Sequence, residues 1–382
     1  MTKADKEGQR KAPILRFKGF TDAWEQRKLQ NQVQFFSGLT YSPSDVKDVG
    51  TFVIRSSNIK DNTLISADNV YVNPNIANSE PVKKDDVIMV VRNGSKSLIG
   101  KHALVTRKID NTVIGAFMTG IRSSTPYFLD ALLDTINFKK EIYKNLGATI
   151  NQITIGNLRK MTFKVPNESE KFKIGNLFKK LNYLLALYER KIKALKKLKQ
   201  AIFEVLNSIP HKSNVYRISE IFDVTRGNVL SKKSISNKFS NMYPVYSSQT
   251  KNDGLLGYYS DYLFENSITW TTDGANAGTV KYRTGKFYCT NVCGVLLNSE
   301  GYCNEYTAEV IEKETPKFVS HVGNPKLMNN VMKQIKIKLP DVATQQSYSD
   351  ILLTFDNVCT SFCNKLNDLN QIKNKLLNTM FI

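Results

Sequence analysis

Met161-Thr-Phe-Lys-Val-Pro166 and Ile335-Lys-Ile-Lys-Leu-Pro340 are two versions of one phrase, 174 residues apart. Walking on from each proline without a gap, Leu177 meets Ile351, Leu181 meets Phe355, Leu184 meets Val358 and Tyr188 meets Phe362. Ile192, Leu195, Leu198, Ile202 and Leu206 then meet Leu366, Leu369, Ile372, Leu376 and Met380. Nine apolar pairs in register over thirty residues mark an internal repeat rather than chance patterning. The repeat reaches the front of each half. Arg27-Lys-Leu-Gln-Asn-Gln-Val33, with Phe35 and Gly38, aligns with Tyr216-Arg-Ile-Ser-Glu-Ile-Phe222, Val224 and Gly227 at an offset of 189. Between its anchors the second module is thus 15 residues shorter than the first. Constant frames around variable centres suggest one scaffold carrying two different reading surfaces, and two copies of a module usually handle two copies of an external object.

Each module ends in a long helix. From Ser169 to Asn207 there is no proline and no glycine except Gly175, and apolar residues recur at steps of three and four from Ile174 to Val205. This is the near-3.5 period of a coiled-coil seam. About 38 residues at 1.5 Å rise predict a rod of roughly 57 Å. Its outer face is expected to be basic, with Arg190, Lys191, Lys193, Lys196, Lys197 and Lys199. The matching segment, Thr344 to Phe381, carries the same seam. The expected pairing residues are Leu177, Leu181, Leu184, Tyr188, Leu195, Leu198 and Ile202 on one helix, and Phe355, Phe362, Leu366, Leu369, Ile372 and Leu376 on the other. Antiparallel pairing within one chain predicts a pseudo-twofold molecule with its modules at opposite ends of the rod. The alternative is a dimerisation coil between two chains.

The fold class expected is α/β of the α+β kind, two mixed modules separated by two long antiparallel coiled-coil helices. The divisions are an arm at 1–20, a module at 21–165, a helix at 166–209, a second module at 210–338 and a second helix at 339–382. Strands are expected at 51–55, 87–91, 103–106 and 161–165, with a helix at 127–146. In the second module they are expected at 243–246, 267–271, 279–282 and 292–297.

The 382 residues carry a formal charge of +20, with 17 Tyr and 20 Phe. Such an excess fits a polyanion, nucleic acid by default. The polar loops offer suitable side chains. Arg and Lys donate to guanine, and Asn and Gln pair with adenine. Glycine lets a backbone approach closely. The candidate DNA contacts in the first module are Thr40, Tyr41, Arg92, Asn93, Ser95, Lys96 and Lys101. In the second they are Arg226, Asn228, Ser247, Ser248, Gln249, Lys251, Asn252, Asp273 and Asn276. No apolar run approaches the roughly 20 residues that span a bilayer. The polar start and five cysteines without framework spacing suggest a reducing cytoplasm.

Catalytic and metal signatures are missing. Asn73-Pro74-Asn75 and Asn324-Pro325-Lys326 lack the second proline of an amino-methyltransferase motif. The run from Gly94 to Gly100-Lys101-His102 is one residue too long for a P-loop and lacks its Ser/Thr. Three histidines leave little for a triad, and Cys289, Cys293 and Cys303 lack CxxC spacing. The chain reads as non-catalytic and metal-free, and Cys359 as a small core residue opposite Leu185.

Pro13-Ile-Leu-Arg-Phe-Lys-Gly-Phe-Thr-Asp-Ala-Trp-Glu-Gln-Arg-Lys-Leu29 resembles the opening of specificity (S) subunits of Type I restriction-modification systems. Tyr243-Pro-Val-Tyr-Ser-Ser248, Asp273-Gly-Ala-Asn-Ala-Gly278, Leu195-Lys-Lys-Leu-Lys-Gln200 and Lys375-Leu-Leu-Asn-Thr-Met-Phe381 are similar to later parts of that family. The resemblance implies two target recognition domains, each reading half of a split double-stranded DNA sequence, with the helices fixing the gap. It also implies two modification (M) subunits using S-adenosylmethionine and restriction (R) subunits using ATP and Mg²⁺, with no cofactor on this chain. One departure is that the family's Glu-Gln after each helix-opening proline is here Ser169-Glu-Lys171 and Thr344-Gln-Gln346. The rival readings are a scaffold with two globular domains and no DNA role, or a nuclease with an unrecognised site.

Overall fold

The computed structural model describes residues 11–147, 151–237, 242–248 and 251–382. The chain divides into two compact units, Met1–Glu189 with Lys365–Ile382, and Arg190–Asn364.

The repeat is visible element by element. Strand Glu25–Lys28 pairs antiparallel with Thr162–Val165, and strand Asn214–Arg217 pairs antiparallel with Lys336–Leu339. A short helical turn follows each first strand, at Leu29–Asn31 and Ile218–Ile221, and then strands Gln34–Ser37 and Asp223–Arg226. The strand boundaries reproduce the sequence offsets to the residue. Helices Glu168–Ser208 and Val342–Met380 also begin 174 residues apart. Both starts are capped alike. The Asn167 carboxamide oxygen accepts from the Glu170 amide at 2.9 Å, and an Asp341 carboxylate oxygen from the Thr344 amide at 3.0 Å. Such caps satisfy amides that the helix leaves unpaired.

The first unit holds an antiparallel sheet in the order 34–37, 118–122, 87–90, 102–104, and a second sheet in the order 112–114, 51–54, 70–72, 46–47. The second unit holds one six-stranded sheet in the order 223–226, 293–297, 264–271, 280–289, 243–246, 255–259. The expected helix 127–146 is two helices, Pro126–Asp134 and Ile136–Lys144. Thr135 makes the break, its hydroxyl donating to the Leu132 carbonyl at 2.7 Å and accepting from the Phe138 amide at 3.2 Å.

Each unit builds its core around parts of both long helices. In the first, Ile174, Phe178 and Leu181 are buried with Leu377, Met380 and Phe381. In the second, Phe203 and Leu206 are buried with Leu352, Lys199 reaches Asp356 at 2.7 Å, and Lys191 lies over the Phe362 ring. Rising numbers on one helix meet falling numbers on the other, so the two run antiparallel. Cys359 is buried, as is its repeat partner Leu185.

The buried face differs from the expected seam. Leu184, Leu198 and Ile372 are exposed, at 37%, 49% and 48%, so they are not core pairing residues in this chain. The buried stripe uses their neighbours Phe178, Leu185, Lys199, Phe203 and Leu206. Phe178, Leu185, Lys199 and Leu206 are spaced by multiples of seven, so the stripe keeps the 3.5 period expected of a coiled-coil seam, shifted by one residue at Leu185 and Lys199. Lys199 leaves the expected basic face altogether.

An arm clasps the first unit. The Arg16 guanidinium binds both oxygens of buried Glu170, at 2.9 and 2.7 Å, and the Trp24 indole N–H donates to the same carboxylate at 3.2 Å. Trp24 packs edge-on against Phe128 and Phe381.

Candidate nucleic-acid interface

In each module, one turn collects three other chain segments by the same hydrogen bonds. In the first module the turn is 114–118, closed by the Met118 amide donating to the Gly115 carbonyl at 2.9 Å. Leu39 N–H donates to Ile114 at 2.7 Å, Gly115 N–H to Ile54 at 2.9 Å, and Val91 N–H to Phe117 at 3.0 Å. In the second the turn is 289–293, closed from Cys293 N–H to Thr290 at 2.9 Å. Asn228 N–H donates to Cys289 at 3.1 Å, Thr290 N–H to Tyr246 at 2.9 Å, and Thr272 N–H to Val292 at 3.1 Å. Gly38 and Gly227 occupy equivalent places beside these turns. A Cβ on either would lie 2.0 Å from the Gly115 oxygen or 2.1 Å from the Cys289 oxygen, so only glycine fits.

Most candidate residues lie on or beside these rims. In the first module Thr40 and Arg92 are exposed, and the Arg92 guanidinium stacks on the exposed Phe117 ring at 4.9 Å. The Asn93 carboxamide donates to the Ser56 hydroxyl at 3.1 Å and accepts from the Ser95 amide at 3.0 Å, which orders the loop. Ser95 and Lys96 continue it outward, and both are exposed. Tyr41 packs against the small core of Leu39, Val53, Val72 and Val113, and Lys101 is half-buried behind the loop.

In the second module Asn228 is exposed, while Arg226 is held by the Asn329 carboxamide oxygen at 2.7 Å. The Ser247 hydroxyl accepts from Thr290 at 3.0 Å, and an Asp273 oxygen accepts from the Thr272 hydroxyl at 2.6 Å. Ser247, Ser248 and Asn276 line a hollow of about 150 Å³ with Asp253, Thr269, Lys281, Arg283 and Cys293. Lys251 and Asn252 open a backbone turn, Lys251–Gly254, and Gln249 lies outside the described residues.

Sequence reasoning overlooked Phe117, Lys281 and Arg283. Arg283 sits inside strand Val280–Cys289, where its guanidinium stacks on Tyr246 at 3.8 Å and donates to the Asp253 carbonyl at 2.7 Å. A strand Arg facing a hollow carries no loop signature, so the Gly/Asn search passed over it.

Two ionic clusters lie under the modules. In the first unit buried His102 faces Asp130 at 3.5 Å and Asp134 at 3.8 Å, and Lys373 of the second long helix binds Asp134 at 2.8 Å. Burial alone would push the imidazole proton off, but the two carboxylates outweigh it and raise the His102 pKa. In the second unit Lys199 is ringed by Glu305, Glu309 and Asp356 at 2.5, 2.9 and 2.7 Å. Burial, opposed by Lys199, pushes the Glu305 carboxyl up to about 7. Among the described residues no group of acidic, His and Cys side chains is arranged to hold a metal ion, and no helix is long and apolar enough to cross a membrane.

The Type I restriction modification DNA specificity domain matches twice, over residues 21–197 and 210–374. The chain belongs to this family of specificity subunits. A type I specificity subunit of Mycoplasma pneumoniae is 30% identical over 225 residues, covering 56% of this chain and 82% of that protein. The N-terminus of another from the same organism is 40% identical over 143 residues, covering 37% of this chain and 76% of the relative. The crystal structure of the Type I restriction-modification S subunit from M. genitalium superposes with a TM-score of 0.70 at 16% identity, covering 97% of this chain and 99% of that one. That likeness supports the fold of two mixed modules and long helices. As a specificity subunit the chain supplies DNA address, not catalysis.

Proposed function

We propose that each rim reads one half of a bipartite double-stranded DNA target. The observation that carries this is the recurrence of one four-segment turn, hydrogen bond for hydrogen bond, in two modules whose surface chemistry differs. In the first module the reading side chains are Thr40, Arg92, Asn93, Ser95 and Lys96. In the second they are Asn228, Ser247, Ser248 and Asn276 with Lys281 and Arg283. Exposed lysines and arginines elsewhere hold phosphates and fix register. A base contact contributes about 1–3 kcal/mol, so each half-site binds weakly. Linking two readers through stiff helices makes the second contact nearly intramolecular, and affinity multiplies only when the spacing matches.

In this reading the chain brings two M subunits, using S-adenosylmethionine, and R subunits, using ATP and Mg²⁺, to that address in the cytoplasm, and binds none of these cofactors itself. Long-read detection of N6-methyladenine in cells carrying this chain with its M partner tests it. One asymmetric motif of two short halves around a fixed gap is expected. Absence of new methylation, with the M subunit active beside another specificity subunit, would overturn the reading in favour of a scaffold.

A further inference from the structure

The turn at 289–293 carries a chemistry that its counterpart at 114–118 lacks. Where the first module has buried Ile114 and Met118, the second has Cys289 and Cys293. Consecutive amides hold the two cysteines together, Gly227 N–H donating to the Cys293 carbonyl and Asn228 N–H to the Cys289 carbonyl, each at 3.1 Å. Both thiols belong to one small core with Phe287 and Val295, and the two are hydrogen-bonded to each other. Cys293 is also part of the wall of the 150 Å³ hollow, together with Arg283. That hollow opens to solvent and has room for a molecule of a few heavy atoms beside Cys293.

We propose that Cys289 and Cys293 are a peroxide-sensitive pair whose disulfide reshapes the rim of the second module and weakens its half-site reading. The Cys293 sulfur attacks one oxygen of hydrogen peroxide, an S–O bond forms, the O–O bond breaks, and the released hydroxide takes a proton to leave as water. The Cys289 sulfur then attacks the sulfenic sulfur, an S–S bond forms, the S–O bond breaks, and a second water leaves with the Cys289 proton. Two thiols lose two electrons in all, and the peroxide gains them.

The surroundings favour Cys293 as the attacking group. The hydrogen bond from Cys289 holds its thiol below the usual thiol range against burial, and Arg283 adds to that, whereas Cys289 is pushed up. A stabilised thiolate is what makes a cysteine reactive. By contrast burial pushes Cys303 up to about 11 and raises Cys359. Closing the bond acts on the rim directly. Thr290, inside the bridged turn, donates its amide to Tyr246 and its hydroxyl to Ser247. The inference rests on the DNA reading above only for its consequence, not for its chemistry.

The full chain, purified under reducing conditions, is treated with hydrogen peroxide and read two ways. Peptide mass spectrometry is expected to show loss of two hydrogens within Phe287–Lys313, placed between Cys289 and Cys293 and reversed by dithiothreitol. DNA carrying the target is expected to bind at least tenfold more weakly to oxidised wild type, with Cys293→Ser and Cys289→Ser variants unaffected by peroxide. Oxidation that spares this pair, or falls on Cys303, Cys359 or Cys363 instead, overturns the site. A disulfide that forms without changing DNA binding overturns the switch. Failure of the reduced protein to bind any target overturns the function proposed above, and the mass readout still decides the chemistry.

Discussion

Replacing Lys199 by methionine should destabilise the second unit in a manner that depends steeply on pH. The ammonium sits within 3 Å of three carboxylates, Glu305, Glu309 and Asp356, and the first two are largely buried. With lysine present Glu305 already titrates near 7, well above the ordinary glutamate range, because burial outweighs its cation. Removing that cation raises it further. A carboxyl whose folded pKa exceeds its unfolded one supports the fold fully below the unfolded value, and this support is lost as pH rises through the folded value. At pH 5 Glu305 is protonated, so the Lys199→Met variant loses packing and its pairs with Glu309 and Asp356, about 1–2 kcal/mol. At pH 8 uncompensated buried charge should cost about 3–5 kcal/mol. For a unit of this size that lowers the melting transition by roughly 6–20 °C. The assay is thermal unfolding at pH 5 and pH 8, with Glu305→Gln as companion. That companion should make wild-type stability less dependent on pH between about 4.5 and 7, since it removes the raised group. An equal loss for Lys199→Met at both pH values would refute the reasoning.

The first unit should show its own pH window. His102 has a raised pKa, so its support is present in mild acid and lost as pH rises through that value, while Asp134, lowered by His102 and Lys373 against burial, withdraws its support only in stronger acid. Unfolding monitored across pH should place the optimum between these limits, and His102→Gln should abolish the alkaline decline. Gly120→Ala and Gly294→Ala place a methyl 1.9 Å from the Phe36 ring and 2.1 Å from the Trp270 ring, and denaturant titration should find each destabilised by about 1–3 kcal/mol. Gly94→Ala, with open space around it, should change stability by less than about 0.5 kcal/mol. Inserting one heptad into each long helix should change the gap of the methylated motif and keep both halves, and sequencing that returns new halves with the old gap contradicts this. Arg283→Ala should relax base preference in one half only, which the same sequencing measures.

The frame of this protein was legible because repetition compares the chain with itself. Offsets of 174 and 189 aligned the fronts of the two modules and their helical ends without any appeal to propensity. The strand pairs that close each module, Glu25–Lys28 with Thr162–Val165 and Asn214–Arg217 with Lys336–Leu339, came from the structure. The centres were harder. Strand Met118–Arg122 contains Gly120, which weakens a strand signal, and here the glycine exists because the Phe36 ring lies against it. Lys199 was misread since a lysine in a lysine-rich run looks solvated, and its three acidic partners come from distant segments. The seam was misplaced by one residue at Leu184, where Leu185 is equally apolar, and at Leu198, where the buried neighbour is Lys199, held by acidic groups that only the packed module supplies. The rims were legible as loops but not as rims. Nothing in Arg92 or Ser247 announces that each lies beside the same turn.

The first unit is closed by Lys365–Ile382, most of it from the second long helix. Phe381 lies against Trp24, Phe128 and Phe178, and Leu377 and Met380 complete the same core. The second unit, Arg190–Asn364, is one continuous stretch. On the ribosome, where domains ordinarily fold in order of synthesis, this chain must reverse that order. The half translated first waits, its apolar groove open, until residues 365–382 emerge, while the half translated second is already whole.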